Sequence, residues 1–258
     1  MKILIIGDIV GNCGTTFLEH NLHTIARENN IDMIIANGEN SAKNNGLDSS
    51  SADSLFSSGV DVITSGNHIW HKFEMQNIID DYENILRPAN YPGNCPGNGY
   101  VIYNACGVKV LVVSVLGTVY LESLTSPFET VERILKREEG NFDISVIDIH
   151  AEATSEKAAL ARYFDGSVTA VVGTHTHVQT ADERLLPKGT AFITDIGMTG
   201  AYESILGIKC DRIINKFLTK MPTRFEQAEG ECQFNGVIVD IDNSTYKAKS
   251  IKRMFFVK

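Results

Sequence analysis

The sequence predicts an α/β fold, and three observations carry that prediction. Short apolar runs alternate with amphipathic segments through the first half, the rhythm of parallel strands joined by helices. Two strand-like runs stand side by side at the end of the chain, which implies an antiparallel edge. The strand candidates are also too numerous for one simple doubly wound sheet. With 258 residues, 43% of them hydrophobic, the chain can bury a substantial core. No Pro/Ser/Gly-rich linker, charge block, low-complexity run or internal repeat divides it, so one domain over 1–258 is expected.

In chain order, KILIIGD (2–8) reads as a buried strand and TTFLEHNLHTIAREN (15–29) as the amphipathic helix after it. DMIIANGEN (32–40) is a second apolar run, followed by a polar, helical stretch to about 58 and by DVITSGNH (61–68). Further strands are expected at 100–104, 108–115, 143–150, 168–175, 190–197, 235–241 and 246–256, each a short β-branched or aromatic run bounded by polar residues. Helices are expected at 127–138, 154–163 and 208–219.

Composition narrows the function classes. A net charge of −9, evenly spread, would repel an extended polyanion, so no basic nucleic-acid-binding face is expected. An anionic substrate would need concentrated local positive charge, which metal ions can supply. The five cysteines (13, 95, 106, 210, 232) are scattered and never in CxxC spacing, so they read as reduced packing residues. The opening apolar run breaks at Gly7-Asp8, too soon for a signal peptide, and no stretch approaches membrane-spanning length. A soluble, cytoplasmic protein is expected.

The strand ends carry the chemistry. The first ends in Asp8, the second in Glu39-Asn40, the third in Asn67-His68 and the DISVIDIH strand in His150, while VTAVV runs into His175 and His177. Sites in open α/β sheets form beyond the carboxyl ends of strands, so these side chains converge on one rim. Two imidazoles two apart on an extended segment would project toward the same side. Hard oxygens mixed with imidazoles, and no cysteine, suit manganese, iron or zinc. So many ligands exceed the need of one ion, whereas two ions sharing a bridging carboxylate, about 3.5–4 Å apart, would use them and clamp a phosphoryl group.

The runs IIGDIVG, NGENSAKNNGL, TSGNHIW, LRPANYP, IDIHAEATSEK, VVGTHTHVQTADERLLPKGTAFITDIGMTG and KMPTRFEQAEGECQFNGVIVDID span nearly the whole chain. On them the sequence resembles the YmdB-like family of bacterial calcineurin-like metallophosphoesterases. The resemblance implies a two-sheet β-sandwich flanked by helices, an α/β/β/α arrangement with metals at one sheet edge. It implies one ion on Asp8, Glu39, Asn40 and His177 and a second on Glu39, Asn67, His150 and His175, with Glu39 bridging. His68 would serve the leaving oxygen or the phosphoryl charge. The implied activity is hydrolysis of cyclic nucleotides, 2′,3′-cyclic forms included, by a metal-bridging hydroxide. Iron or manganese is expected before zinc. A phosphomonoesterase or nuclease on the same site, and a metal-stabilised regulatory protein, are the alternatives. The substrate would be a small phosphodiester, with no membrane partner and with homo-oligomers open.

Two positions depart from the wider superfamily and one from many relatives. Val10 replaces the histidine of Asp-x-His, Glu39 the usual bridging aspartate, and Thr118 an expected arginine. Other candidates read more simply. His20 and His23 lie on a helix surface, Trp70 reads as core packing, and His71 falls outside any motif. IIGDIVGNCG lacks the GxGxxG spacing of a dinucleotide turn.

Overall fold

A computed structural model describes residues 1–258. The first half builds β1 (Lys2–Ile6), β2 (Asp8–Ile9), α1 (Gly11–Asn29), β3 (Met33–Asn37), α2 (Ser49–Ser57), β4 (Val62–Thr64), α3 (Met75–Ile78), β5 (Tyr100–Ala105) and β6 (Val108–Leu116). The second half adds α4 (Pro127–Arg137), β7 (Ile144–His150), α5 (Thr154–Tyr163), β8 (Ala170–Thr174), β9 (Arg184–Leu185), β10 (Ala191–Ile193) and β11 (Met198–Ala201). It closes with α6 (Cys210–Thr219), β12 (Cys232–Ile241) and β13 (Ala248–Val257).

The strands form two mixed sheets. In the first, β1 pairs parallel with β3 and antiparallel with β12, β3 continues to β4, and β11 joins β12 to β2. β13 pairs antiparallel along β12, the edge expected from the paired runs at the end of the chain. In the second, β6, β7, β8 and β10 run parallel, with β5 and β9 antiparallel at the two margins.

Side-chain alternation explains the layering. Ile3 and Ile5 of β1 pack against Val110, Val112 and Val146 of the other sheet, while Leu4 and Ile6 face Leu18 and Leu22 of α1. On the far side, Leu111 and Val113 of β6 meet Val131 of α4 and Leu160 of α5. A period of two therefore divides one apolar strand between an inter-sheet core and a helix-facing core. The α/β/β/α sandwich is what the resemblance implied.

The structure shifts several boundaries. α1 begins at Gly11, four residues before the expected helix, because Gly11 takes φ +57° and turns the chain directly from the β2 strand. Of the expected strand 190–197 only β10 (Ala191–Ile193) forms; β11 follows just beyond it in the other sheet, with Asp195 at the crossing. α3 and the two-residue β9 were not anticipated, since neither is long enough to show a period. No helix is long and apolar enough to cross a membrane.

Candidate metal centre

The eight side chains expected at the rim come from both sheets and meet at the seam between them. Asp8 stands at β2, Glu39 and Asn40 beyond β3, and Asn67 and His68 beyond β4. His150 ends β7, and His175 and His177 follow β8. Two glycines let these ends approach. A Cβ on Gly7 would lie 2.0 Å from the Gly197 carbonyl oxygen. One on Gly66 would lie 2.2 Å from the His150 ring and 2.4 Å from a Glu39 carboxylate oxygen.

His150 Nε2 is the most crowded atom. It lies 3.1 Å from Glu39 Oε1, 3.1 Å from Asn67 Oδ1 and 3.0 Å from His175 Nδ1. Asp8, His177 and Asn40 form a second group. Asp8 Oδ1 is 3.6 Å from His177 Nε2, and Asn40 Nδ2 is 3.4 Å from that same nitrogen and 3.2 Å from Glu39 Oε1. Glu39 therefore touches both groups. The ligand atoms of Glu39, His150 and His175 all lie within 4.8 Å of one another, a spacing that can hold a metal ion.

Each imidazole is turned so that its free nitrogen faces inward. Thr174 Oγ1 donates to Asp148 Oδ1 at 2.8 Å, so it accepts from His150 Nδ1 at 2.9 Å and leaves Nε2 free. His175 Nε2 reaches Glu152 Oε2 at 3.1 Å, which frees Nδ1. His177 Nδ1 reaches the Leu206 carbonyl at 3.2 Å, which frees Nε2. Asp8 Oδ1 is fully buried without a hydrogen-bond partner. One proton at His150 Nε2 cannot serve an imidazole, an amide oxygen and a carboxylate together. A cation can, and the donor set fits a hard or borderline metal.

The electrostatics point the same way. Burial alone would lower His150, but the charges of Glu39, Asp8 and Asp148 push it up to about 9. Burial would raise Asp8 and Glu39, yet His177 and His150 beside Asp8, and His150 beside Glu39, hold both carboxyls below their usual values. His175 is held down to about 4, by burial and then by the charge of His150. The buried carboxylates thus gather positive charge on the nearest imidazole, and a metal would displace that proton on binding.

His175 and His177 face the centre by a different geometry from the expected extended one. β8 ends at Thr174, and both histidines take left-handed backbone, φ +100° and +63°. Such conformations cost energy for non-glycine residues and need outside support. That support comes from Asp195, fully buried at the sheet crossing. Its Oδ2 accepts the Thr176 backbone N–H at 3.0 Å, the Thr176 hydroxyl at 2.8 Å and Lys157 Nζ at 2.8 Å. Lys157 is fully buried on α5, and Gly173 leaves room for it: a Cβ there would lie 2.7 Å from Lys157 Cδ. The Lys157–Asp195 pair, the Asp148 network with Thr64 and Asn37, and Glu152 all escaped sequence reasoning. Their only trace was position, inside DIHAE, EK and TDIG runs already notable for other residues.

The remaining expectations resolve simply. Val10 is buried, with its side chain against Gly200 and Gly207. The Thr118 backbone N–H and hydroxyl are tied to Glu156 Oε1 at 2.9 and 3.1 Å. Trp70 packs edge-on to Tyr91 beside the helix-facing core. The His71 ring lies 4.2 Å from that of His68.

The profile of the family described as YmdB-like protein matches residues 4–254. The chain belongs to the YmdB-like family. This YmdB-like chain is 46% identical over 254 residues to the 2′,3′-cyclic-nucleotide 2′-phosphodiesterase of Bacillus subtilis (strain 168), covering 98% of this chain and 96% of that one. Two solved structures share its fold throughout. A hypothetical protein from Thermus thermophilus superposes with a TM-score of 0.94 at 38% identity, covering 100% of both chains. A novel phosphatase from Mycoplasma pneumoniae gives 0.93 at 31% identity, covering 100% of this chain and 93% of that one.

Proposed function

We propose that the chain is a binuclear metal-dependent phosphodiesterase, a single domain over 1–258, that opens cyclic nucleotides, 2′,3′-cyclic forms among them. The observation that carries this reading is the meeting of two donor groups on one buried carboxylate, Glu39. Asp8, Glu39, Asn40 and His177 would hold one ion, and Glu39, Asn67, His150 and His175 the other. Oxygen donors mixed with imidazole favour iron or manganese, with zinc behind. When bound, such a pair supplies Lewis-acid polarisation of the phosphoryl group and a nucleophilic oxygen at neutral pH. The name of the Bacillus relative supports the substrate class.

The chain's own residues handle the proton. His68 Nδ1 lies 2.7 Å from Asn40 Oδ1, while the Asn40 amide nitrogen faces Glu39 and His177. Ligation through the amide oxygen asks for the opposite rotamer. Turning the amide over puts Nδ2 against His68 Nδ1, which becomes the acceptor and leaves the ring proton on Nε2. Loading at Asn40 and arming His68 to protonate the leaving oxygen are then one event. Burial lowers the His68 pKa, which favours the neutral ring that this arrangement requires.

The test is elemental analysis of the purified protein together with turnover of cyclic nucleotides, dinucleotides and monoesters. About two ions per chain and opening of 2′,3′-cyclic nucleotides are expected. Full metal occupancy with no turnover of any phosphodiester would favour a regulatory protein, and preference for monoesters a phosphatase.

A further inference from the structure

Beside the metal centre lies a cavity of about 330 Å³ lined by His177, Met198, Leu206, Asn235 and Phe255 among others. It adjoins the site: Met198 of β11, which lines it, pairs in register with Asp8 of β2. His177 forms the shared wall: Nε2 faces Asp8, and Nδ1 reaches the Leu206 carbonyl. The volume falls at the small end of ligand pockets, enough for a heterocycle but not for a dinucleotide.

One polar atom of a residue lining this cavity is unexplained. Asn235 is 3% exposed, and its Nδ2 donates to the Met198 carbonyl at 2.6 Å, which fixes the amide's orientation. Its Oδ1 is then a buried acceptor with no partner. The neighbouring Gln179 cannot supply a proton, since its Nε2 already serves the Ile196, Gly236 and Met254 carbonyls. The rim offers flat or apolar surface: Phe255 is 56% exposed, Leu206 47% and Tyr202 44%. A buried lone acceptor on the lining of a cavity that also offers exposed aromatic side chains suits a planar ring that carries a donor.

We infer that this cavity is a nucleobase subsite, and that Asn235 Oδ1 selects bases bearing an exocyclic amino group. The inference rests on the cyclic-nucleotide reading above and names which nucleotides the site prefers. The base would lie against Phe255 and Leu206 with its amine on Asn235, while the phosphodiester lies across His177 at the metals.

Nucleoside binding to the protein as purified tests it without any turnover, since a nucleoside carries no phosphodiester. Adenosine and purine riboside differ only by the exocyclic amine, and their dissociation constants can be read by NMR titration. Adenosine should bind roughly tenfold more tightly, the effect of pairing a buried acceptor. In Asn235→Leu that preference should vanish, and in Phe255→Ala, an exposed position safe for folding, both nucleosides should weaken together. Equal affinity of the two nucleosides for the wild-type protein, or no saturable binding, overturns the subsite. Hydrolysis by the wild-type holoenzyme separates the two readings. If the 2′,3′-cyclic phosphates of both nucleosides are opened equally well, the subsite is wrong and the phosphodiesterase reading stands. If neither is opened while adenosine still binds preferentially, the phosphodiesterase reading fails and the amine-selective cavity stands.

Discussion

Replacing Lys157 by methionine would leave Asp195 charged, fully buried and without its cation. Breaking a buried ion pair by removing one partner costs about 3–5 kcal/mol. Here the cost should fall at the low end. Asp195 keeps three hydrogen bonds, from the Thr176 N–H at 3.0 Å, the Thr176 hydroxyl at 2.8 Å and the Gly197 N–H at 2.8 Å. Methionine also refills most of the aliphatic space. We expect a loss of about 3 kcal/mol, which for a urea slope of about 3 kcal/mol per molar lowers the unfolding midpoint by roughly 1 M. Thr176 lies between His175 and His177, so its support matters to the site as well. Weakening such outer support typically costs 10–100-fold in metal affinity. The double change Lys157→Met with Asp195→Asn should recover part of the stability by removing the stranded charge. Competition with a chelator would measure the affinity, and urea unfolding of the metal-free protein the stability. An unchanged midpoint and unchanged affinity in Lys157→Met would refute the proposed role of the pair.

Four further expectations follow from the site and its surroundings. Glu39→Gln removes the shared negative charge and should lower metal content and activity together, which elemental analysis beside a rate assay would register. His68→Ala should keep its metals yet lose roughly 10²–10⁴ in rate, less with p-nitrophenol as leaving group; loss of metal instead would reassign His68 as a ligand. In Gly66→Ala the new methyl would fall 2.2 Å from the His150 ring, so metal uptake should drop sharply even if the far-ultraviolet spectrum is unchanged. Tyr103 donates to Asp61 at 2.7 Å, and that bond, with burial, pushes its pKa up to about 12. Its folded pKa lies above the unfolded value of about 10, so its stabilisation is complete below pH 10 and lost as pH climbs toward 12. Tyr103→Phe should flatten the alkaline limb of a stability–pH curve over that window; an unchanged limb would discount the bond.

The apolar runs and their polar endings were legible because burial writes a period into the chain. KILII, MIIAN and ISVIDIH could hardly sit anywhere but between layers, and their last residues had to emerge at a rim. Which runs share a sheet was not legible. TAFITDIG looks like one strand, yet only Ala191–Ile193 pairs with β8, and the chain crosses to the other sheet, where Met198 pairs with Asp8. Ligand types could be read from residue identity, whereas the left-handed turns at His175 and His177 could not, since positive φ is uncommon outside glycine and nothing local in THTH marks it. Lys157 is the clearest blind spot. A lysine in TSEK reads as a solvated helix face until tertiary packing closes over it.

The proposed ligand set straddles the seam: Asp8, Glu39 and Asn67 lie on or just beyond strands of one sheet, His150, His175 and His177 on or just beyond strands of the other. A metal held there would staple the two halves of the sandwich as a disulfide does, but reversibly and in step with the free metal concentration. Each hundredfold excess over the dissociation constant adds about 2.7 kcal/mol against unfolding. Survival against proteases would then follow metal supply. A cell short of the ion would lose not only the activity of its existing molecules but, through faster degradation, the molecules themselves.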